Sequence, residues 1–178
     1  MEIQVKALII TGKYAQDIEV FYPLYRMDEE GWKVELATPE GEQVSGVYGM
    51  RITPTGKIPY VKRPDSWDVL ILPGGARALE YLRQDFKLLT FIAGFHKAGG
   101  VIGSICHGTQ LLISAGLVKG RRVSGYYSIK DDINNAGGIF VDSEYTVDDR
   151  IVSSPHYKYL GPWMKEIIHV TREKHDRF

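Results

Sequence analysis

The chain has one cysteine in 178 residues, so no disulfide can close within it and its stability cannot rest on one. It has no net charge either. Its 22 lysines and arginines balance 22 aspartates and glutamates, which leaves no field to draw a polyanion or an anionic lipid surface. The one basic cluster, Lys119-Gly120-Arg121-Arg122, is diluted by glycine, and nucleic acid is not expected as a partner. No apolar run approaches the ~20 residues that span a bilayer. The start, MEIQVKALIITG, has neither the basic head nor the small-residue cleavage site of a secretory signal. No membrane partner is expected, and a cytoplasmic location is, where a thiol stays reduced. The loop ITGKYAQ has one glycine where a dinucleotide fingerprint needs three, and there is no Walker pattern. His96, His107, His156, His169 and His175 make no ligand spacing. Neither a metal nor any other cofactor is expected.

What is present is a composition of 44% hydrophobic and 25% charged residues, ordinary for one domain over 1–178 that can bury a sizeable core. VKALIITG (5–12), DVLILPGG (68–75) and GGVIGSICHG (99–108) are short apolar runs bracketed by glycine or proline, which suits strands buried on both faces. The stretches between them carry helical spacing, so the alternation predicts a parallel sheet in an α/β fold, a three-layer α/β/α sandwich. A helix is expected over 18–30 with Gly31 as its stop, and Pro23 predicts a late start or a kink near Glu19. A second strand is expected over 32–42, an excursion with strand character over 46–58, and a helix over 79–98 broken near Gln84 and Asp85. RRVSGYY reads as a strand, SIKDDINNAGG as a helix, IFVDSEYTVDDRIVSS as a hairpin turning at Asp148-Asp149, and 158–174 as the last helix.

In such sheets, sites form where loops leave the carboxyl ends of parallel strands. The third of these loops holds Cys106, which opens directly into a helix. A strand that ends in a nucleophile and turns at once into a helix needs small residues about two positions to either side, and Ser104 and Gly108 stand there. This elbow spacing outweighs the plainer reading of Cys106 as a packing thiol. It aims the sulfur outward near the positive end of a helix, which favours thiolate over thiol. The His107 amide is then placed to meet an oxyanion, and the Gly74-Gly75 loop, through Gly75, to supply a second donor. The His107 ring is a natural proton carrier beside a thiolate. Glu19, on the first predicted helix, reads by itself as a solvated acid.

The segments DIEVFYPLYRMDEEGWKV, DVLILPGGARALEYLR, SICHGTQLLISAGLVKGRRVSGYYSIKDDINNAGG and VDDRIVSS together resemble the ThiJ/PfpI superfamily over nearly the whole chain. These are flavodoxin-like relatives of class I glutamine amidotransferases, with the nearest likeness to PfpI-type intracellular cysteine peptidases. The GKYAQDIEV loop is also similar to the glyoxalase III type. The resemblance implies that Cys106 is the nucleophile, that Glu19 is a protonated carboxyl bonded to its thiolate, and that Tyr126 lines the site. It implies a triad in which His107 meets a glutamate of an adjoining subunit, matched here by Glu80, and therefore a homo-oligomer, dimer or higher. Three departures stand out. The loop Gly-Gly-Ala-Arg-Ala-Leu-Glu is one residue longer than the Gly-Gly-Arg-Ala-Pro-Glu of that family, Gln16 replaces a second acid, and SSPHYKYLGPW brings His156 and Tyr157 to the pocket mouth. The function expected is a cysteine-nucleophile enzyme acting on a small-molecule carbonyl or peptide substrate, first as a PfpI-like peptidase or amidase. The alternative is cofactor-free conversion of α-oxoaldehydes, as in glyoxalase III or a deglycase. A reading of another class is a stress-response redox sensor or holding chaperone, in which Cys106 oxidises beside Glu19.

Overall fold

The computed structural model of the chain describes residues 4–60 and 63–176. β1 (Lys6–Ile10) leads through α1 (Asp17–Glu29) to β2 (Lys33–Thr38), and the excursion that follows holds three short strands, β3 (Val44–Ser45), β4 (Arg51–Ile52) and β5 (Gly56–Lys57). Next come β6 (Val69–Leu72), α2 (Ala76–Leu82), α3 (Phe86–Lys97) and β7 (Val101–Ile105). Beyond Cys106 lie α4 (Thr109–Ser114), β8 (Arg122–Val123), α5 (Lys130–Asn135), β9 (Ile139–Phe140), β10 (Thr146–Asp148), β11 (Ile151–Ser154) and α6 (Leu160–Asp176).

The main sheet has the strand order β10-β11-β7-β6-β1-β2-β5 and is parallel except where β10 pairs with β11. Every residue of 7–10, 69–72 and 101–105 is buried, as the apolar runs require of strands covered on both faces. Each large apolar side chain so removed from water contributes about 1.5–3 kcal/mol. The chain steps from β1 to β2 in one direction along the sheet, and from β6 through β7 to β11 in the other. Right-handed crossovers therefore put α1 on one face and α2, α3 and α4 on the opposite one. α6 returns to the first face, packing on α1, β7 and β11, where the fully buried Trp163 donates its indole N–H to the Val152 carbonyl at 3.0 Å. The strand order reverses between β1 and β6, and the carboxyl ends of those strands open a crevice.

Three local expectations are corrected. α1 starts at Asp17 and continues past Pro23 to Glu29; the proline costs one backbone bond, to the Glu19 carbonyl, while the buried stripe Val20, Pro23, Met27 holds the helix to the core. Residues 139–140 are not part of the hairpin. They form β9, parallel to β8 in a separate two-stranded sheet, because the amides of Ile139 and Val141 are taken by the carbonyls of Arg121 and Val123. The hairpin is β10–β11, and its turn is Asp149-Arg150 rather than Asp148-Asp149, with Asp149 in the left-handed region at φ 54°. The expected break at 84–85 is present, since the Asp85 carboxylate caps α3 by accepting from the amides of Lys87 (3.0 Å) and Leu88 (3.2 Å).

Candidate active site

Cys106 stands at the carboxyl end of β7, where the backbone passes from an extended Ile105 (φ −140°) into a 3-10 turn, Cys106–Gly108, that runs on into α4. Cys106 itself is at φ 57°, a left-handed conformation that costs a non-glycine residue about 1–3 kcal/mol and persists where its surroundings impose it. Gly108 is part of that imposition, because a Cβ there would lie 2.1 Å from the Leu72 carbonyl oxygen. Ser104 serves differently: its hydroxyl bonds that of Thr109 across the bend at 3.0 Å, and Thr109 donates on to the Ser124 carbonyl, also at 3.0 Å. The elbow is thus tied through buried hydroxyls to the segment that leads to Tyr126, whose amide donates to the Cys106 carbonyl at 3.1 Å.

Glu19 is not a solvated acid. It lies in the first turn of α1, fully buried, and its Oε2 accepts from the Gly74 amide at 2.7 Å. Gly74 sits so near that a Cβ would come within 2.6 Å of that oxygen and 2.7 Å of the Cys106 Cβ. Oε1 is buried with no nitrogen or oxygen donor, and the remaining polar neighbour of the carboxyl is the Cys106 thiol. Burial pushes the Glu19 carboxyl up from 4.5 to about 7, against the lowering effect of the Gly74 amide and the thiol.

The thiol does not ionise readily by itself, contrary to the expectation from its helix-start position. Burial, followed by the charge of Glu19, pushes Cys106 up to about 12, although the amides of His107 and Gly75 both point at the sulfur and favour the thiolate. Both groups give up protons reluctantly, so near neutrality the pair keeps at least one proton between them. A thiolate forms here when that proton rests on Glu19, which removes the charge repulsion while the larger effect of burial remains.

His107 places Nδ1 3.4 Å from the sulfur, with Nε2 3.5 Å from the Ser128 hydroxyl. Burial lowers its pKa, which keeps the ring neutral and able to accept a proton. The ring stacks on Tyr126 with centroids 4.7 Å apart, and His156 extends the aromatic wall, 6.2 Å from Tyr126 and 4.0 Å from Tyr157. Cys106, His107, Gly75, Tyr126, His156 and Tyr157 all line one crevice of about 420 Å³. A larger one, about 500 Å³, lies between Gly12, Glu40 and Tyr81 and is lined by neither cysteine nor histidine. Glu80 is not brought to the site of its own chain. It is exposed on α2, outside the crevice, its carbonyl accepting from Gln84 Nε2 at 2.6 Å.

Among the lining residues that were not legible as such in the sequence are Tyr48 and Arg77. Tyr48 reaches the mouth because the buried Asp17 carboxylate accepts from the amides of Tyr48 (2.8 Å) and Met50 (3.0 Å), pinning a loop from far along the chain, and its hydroxyl meets that of Tyr157. Arg77 also lines the crevice, and only its place just after Gly74-Gly75 could have flagged it. Among the described residues, no three His, Cys, Asp or Glu side chains converge as a metal site, and no helix is long and apolar enough to cross a membrane.

The family model of the DJ-1/PfpI family matches residues 5–170. The chain is 38% identical over 167 residues to "Deglycase TK1284" of Thermococcus kodakarensis, covering 94% of this chain and 99% of that one. It is 35% identical over 150 residues to "Protein/nucleic acid deglycase 2" of Escherichia coli, covering 83% and 86%. In fold it is similar to the crystal structure of Drosophila melanogaster DJ-1beta, with a TM-score of 0.86 at 21% identity over 96% of this chain and 95% of that one.

Proposed function

The chain belongs to the DJ-1/PfpI family, and from that premise we propose that it is a cysteine-dependent enzyme on carbonyl substrates, acting on α-oxoaldehydes that are free or carried on an amine. The observation that carries this reading is the pairing of Cys106 with a buried carboxyl whose proton is exchangeable near neutral pH. As the sulfur adds to the aldehyde carbon, its proton is held by Glu19, and the new oxyanion takes up the amides of Gly75 and His107. The neutral His107 ring then moves a proton from the former aldehyde carbon to the neighbouring carbonyl carbon, whose oxygen takes the proton held on Glu19 as the oxyanion becomes the thioester carbonyl, and the hemithioacetal is thereby turned into a thioester. Water cleaves the thioester to a 2-hydroxyacid and restores the thiol; where the aldehyde carbon arrives as an amine adduct, the C–S bond forms as its C–N bond breaks, and the amine leaves with the thiol's proton before the rearrangement. The internal redox change balances within the substrate and needs no cofactor. The names of the two relatives, both deglycases, support this choice.

A peptide- or amide-cleaving form of the same attack is the second reading. It is favoured by the exposure of Glu80 on α2 and by the weak partner of His107 Nε2, a hydroxyl at 3.5 Å, which together leave room for an acid from a second copy in a homo-oligomer. The test is a side-by-side assay of wild type and Cys106→Ser for lactate from methylglyoxal, amine release from methylglyoxal-modified N-acetyl-lysine, and cleavage of an amide panel. Activity on the first two, lost with Cys106→Ser, is the expected result, and undiminished turnover by the serine variant overturns it. Amide cleavage alone, dependent on Glu80 and on assembly, selects the second reading. Oxidation of Cys106 by mild peroxide without turnover of any substrate selects the redox sensor.

A further inference from the structure

Arg77 stands at N2 of α2, two residues after the Gly75 amide that points at the Cys106 sulfur, and it lines the same crevice as Cys106. Its guanidinium lies over the Tyr14 ring, 3.9 Å from the centroid. That platform is itself fixed. Tyr14 is held at φ 67° with its amide donated to the Ser45 carbonyl at 2.8 Å, and its own carbonyl abuts Gly75, where a Cβ would meet it at 2.6 Å. Stacking on an aromatic face orients the planar fork while leaving its N–H groups unspent. Among the described residues no carboxylate pairs with Arg77, and no aspartate or glutamate lines the crevice. Lys13 also lies 5.0 Å from the centroid of the same ring.

An unpaired, pre-oriented guanidinium beside a nucleophile fits one kind of ligand best, an anion whose oxygens can take two parallel N–H bonds. We propose that Arg77 is a specificity residue that selects carbonyl substrates bearing a carboxylate. The carbonyl carbon sits at Cys106, its oxygen on the Gly75 and His107 amides, and the acid end is taken by the Arg77 fork. The tilt is toward anionic α-oxoaldehydes over neutral ones, and it arises in binding rather than in the proton transfers. This assignment rests on Cys106 being a reactive nucleophile.

The test compares the rates at which iodoacetate and iodoacetamide alkylate Cys106, followed by intact mass. Both form the same S–C bond with loss of iodide, and they differ only in carboxylate against amide. The iodoacetate-to-iodoacetamide rate ratio of the wild type should fall about tenfold in Arg77→Gln, the worth of roughly one charge-assisted hydrogen bond. It should fall less in Arg77→Lys, which keeps the charge and loses the fork, and it should decline in the wild type as salt is raised. A ratio unchanged by Arg77→Gln and by salt overturns the assignment and leaves Cys106 chemistry standing. A wild-type thiol inert to both reagents overturns the nucleophile itself, and this inference with it.

Discussion

Replacing Glu19 by glutamine tests whether the carboxyl beside the sulfur is held neutral by its burial. The rise from 4.5 to about 7 corresponds to roughly 3 kcal/mol in favour of the protonated form, at about 1.4 kcal/mol per decade. Below pH 4.5 the carboxyl is neutral in folded and unfolded chains alike, and burying it carries no charge penalty. Between pH 4.5 and about 7 the unfolded chain releases its proton while the folded one keeps it, so wild-type stability falls as pH rises. Above about 7 both states are ionised and the loss is complete. Glu19→Gln cannot titrate, yet its amide oxygen can still accept from the Gly74 amide. The stability of Glu19→Gln relative to wild type should therefore grow by about 2–3 kcal/mol between pH 5 and pH 8. Urea unfolding at several pH values reads this as a midpoint difference that widens by about 1 M. The histidines that titrate in this window are common to both proteins and cancel in the comparison. Stability curves that run parallel from pH 5 to pH 8 would refute the account of Glu19 as a carboxyl kept neutral by burial.

The same pair predicts a pH dependence of reactivity. Alkylation of Cys106 by iodoacetamide should rise through about pH 7, as the pair drops to one shared proton, and in Glu19→Gln that inflection should vanish and the rate climb only at more alkaline pH. Gly108→Ala drives a methyl into the Leu72 carbonyl at 2.1 Å, backbone against backbone, and should cost about 2–4 kcal/mol in thermal or urea unfolding; an unchanged midpoint would show the elbow to be looser than its geometry. Asp17→Ala strips the acceptor from the amides of Tyr48 and Met50, which should destabilise the fold by about 2 kcal/mol and open the 46–50 loop to limited proteolysis. An equally resistant loop would mean that other contacts hold it.

The elements that were legible in the chain are those whose cause is local. Val69–Leu72 is apolar at every position and Val101–Ile105 at all but Ser104, and a short run of that kind has no wet face to offer. Asp85 marked the division of α2 from α3 because its carboxylate caps within its own neighbourhood. Cys106 between Ser104 and Gly108 announced a bend, since a tight turn restricts residue size within a few positions. The late start expected from Pro23 does not occur because intrinsic propensity was outweighed by a buried stripe on the same helix. Ile139 and Phe140 misled because the partners of their strand, Arg122 and Val123, lie well back in the chain.

The electrostatic character of the site belongs to the second group. Glu19 and Gly74 are 55 residues apart, Asp17 and Tyr48 31 apart, and no spacing rule relates them. The order of residues determined the sheet, the bend and the place of the one thiol at that bend, because hydrophobic periodicity and backbone sterics act over a turn or a strand. Only the folded chain decided that Glu19 is buried beside the thiol with its pKa raised, rather than solvated, and that Arg77 lines the same crevice as Cys106 with no carboxylate partner among the described residues. Desolvation and charge proximity depend on what surrounds a group in space, and the sheet assembles those surroundings from loops that are distant in sequence.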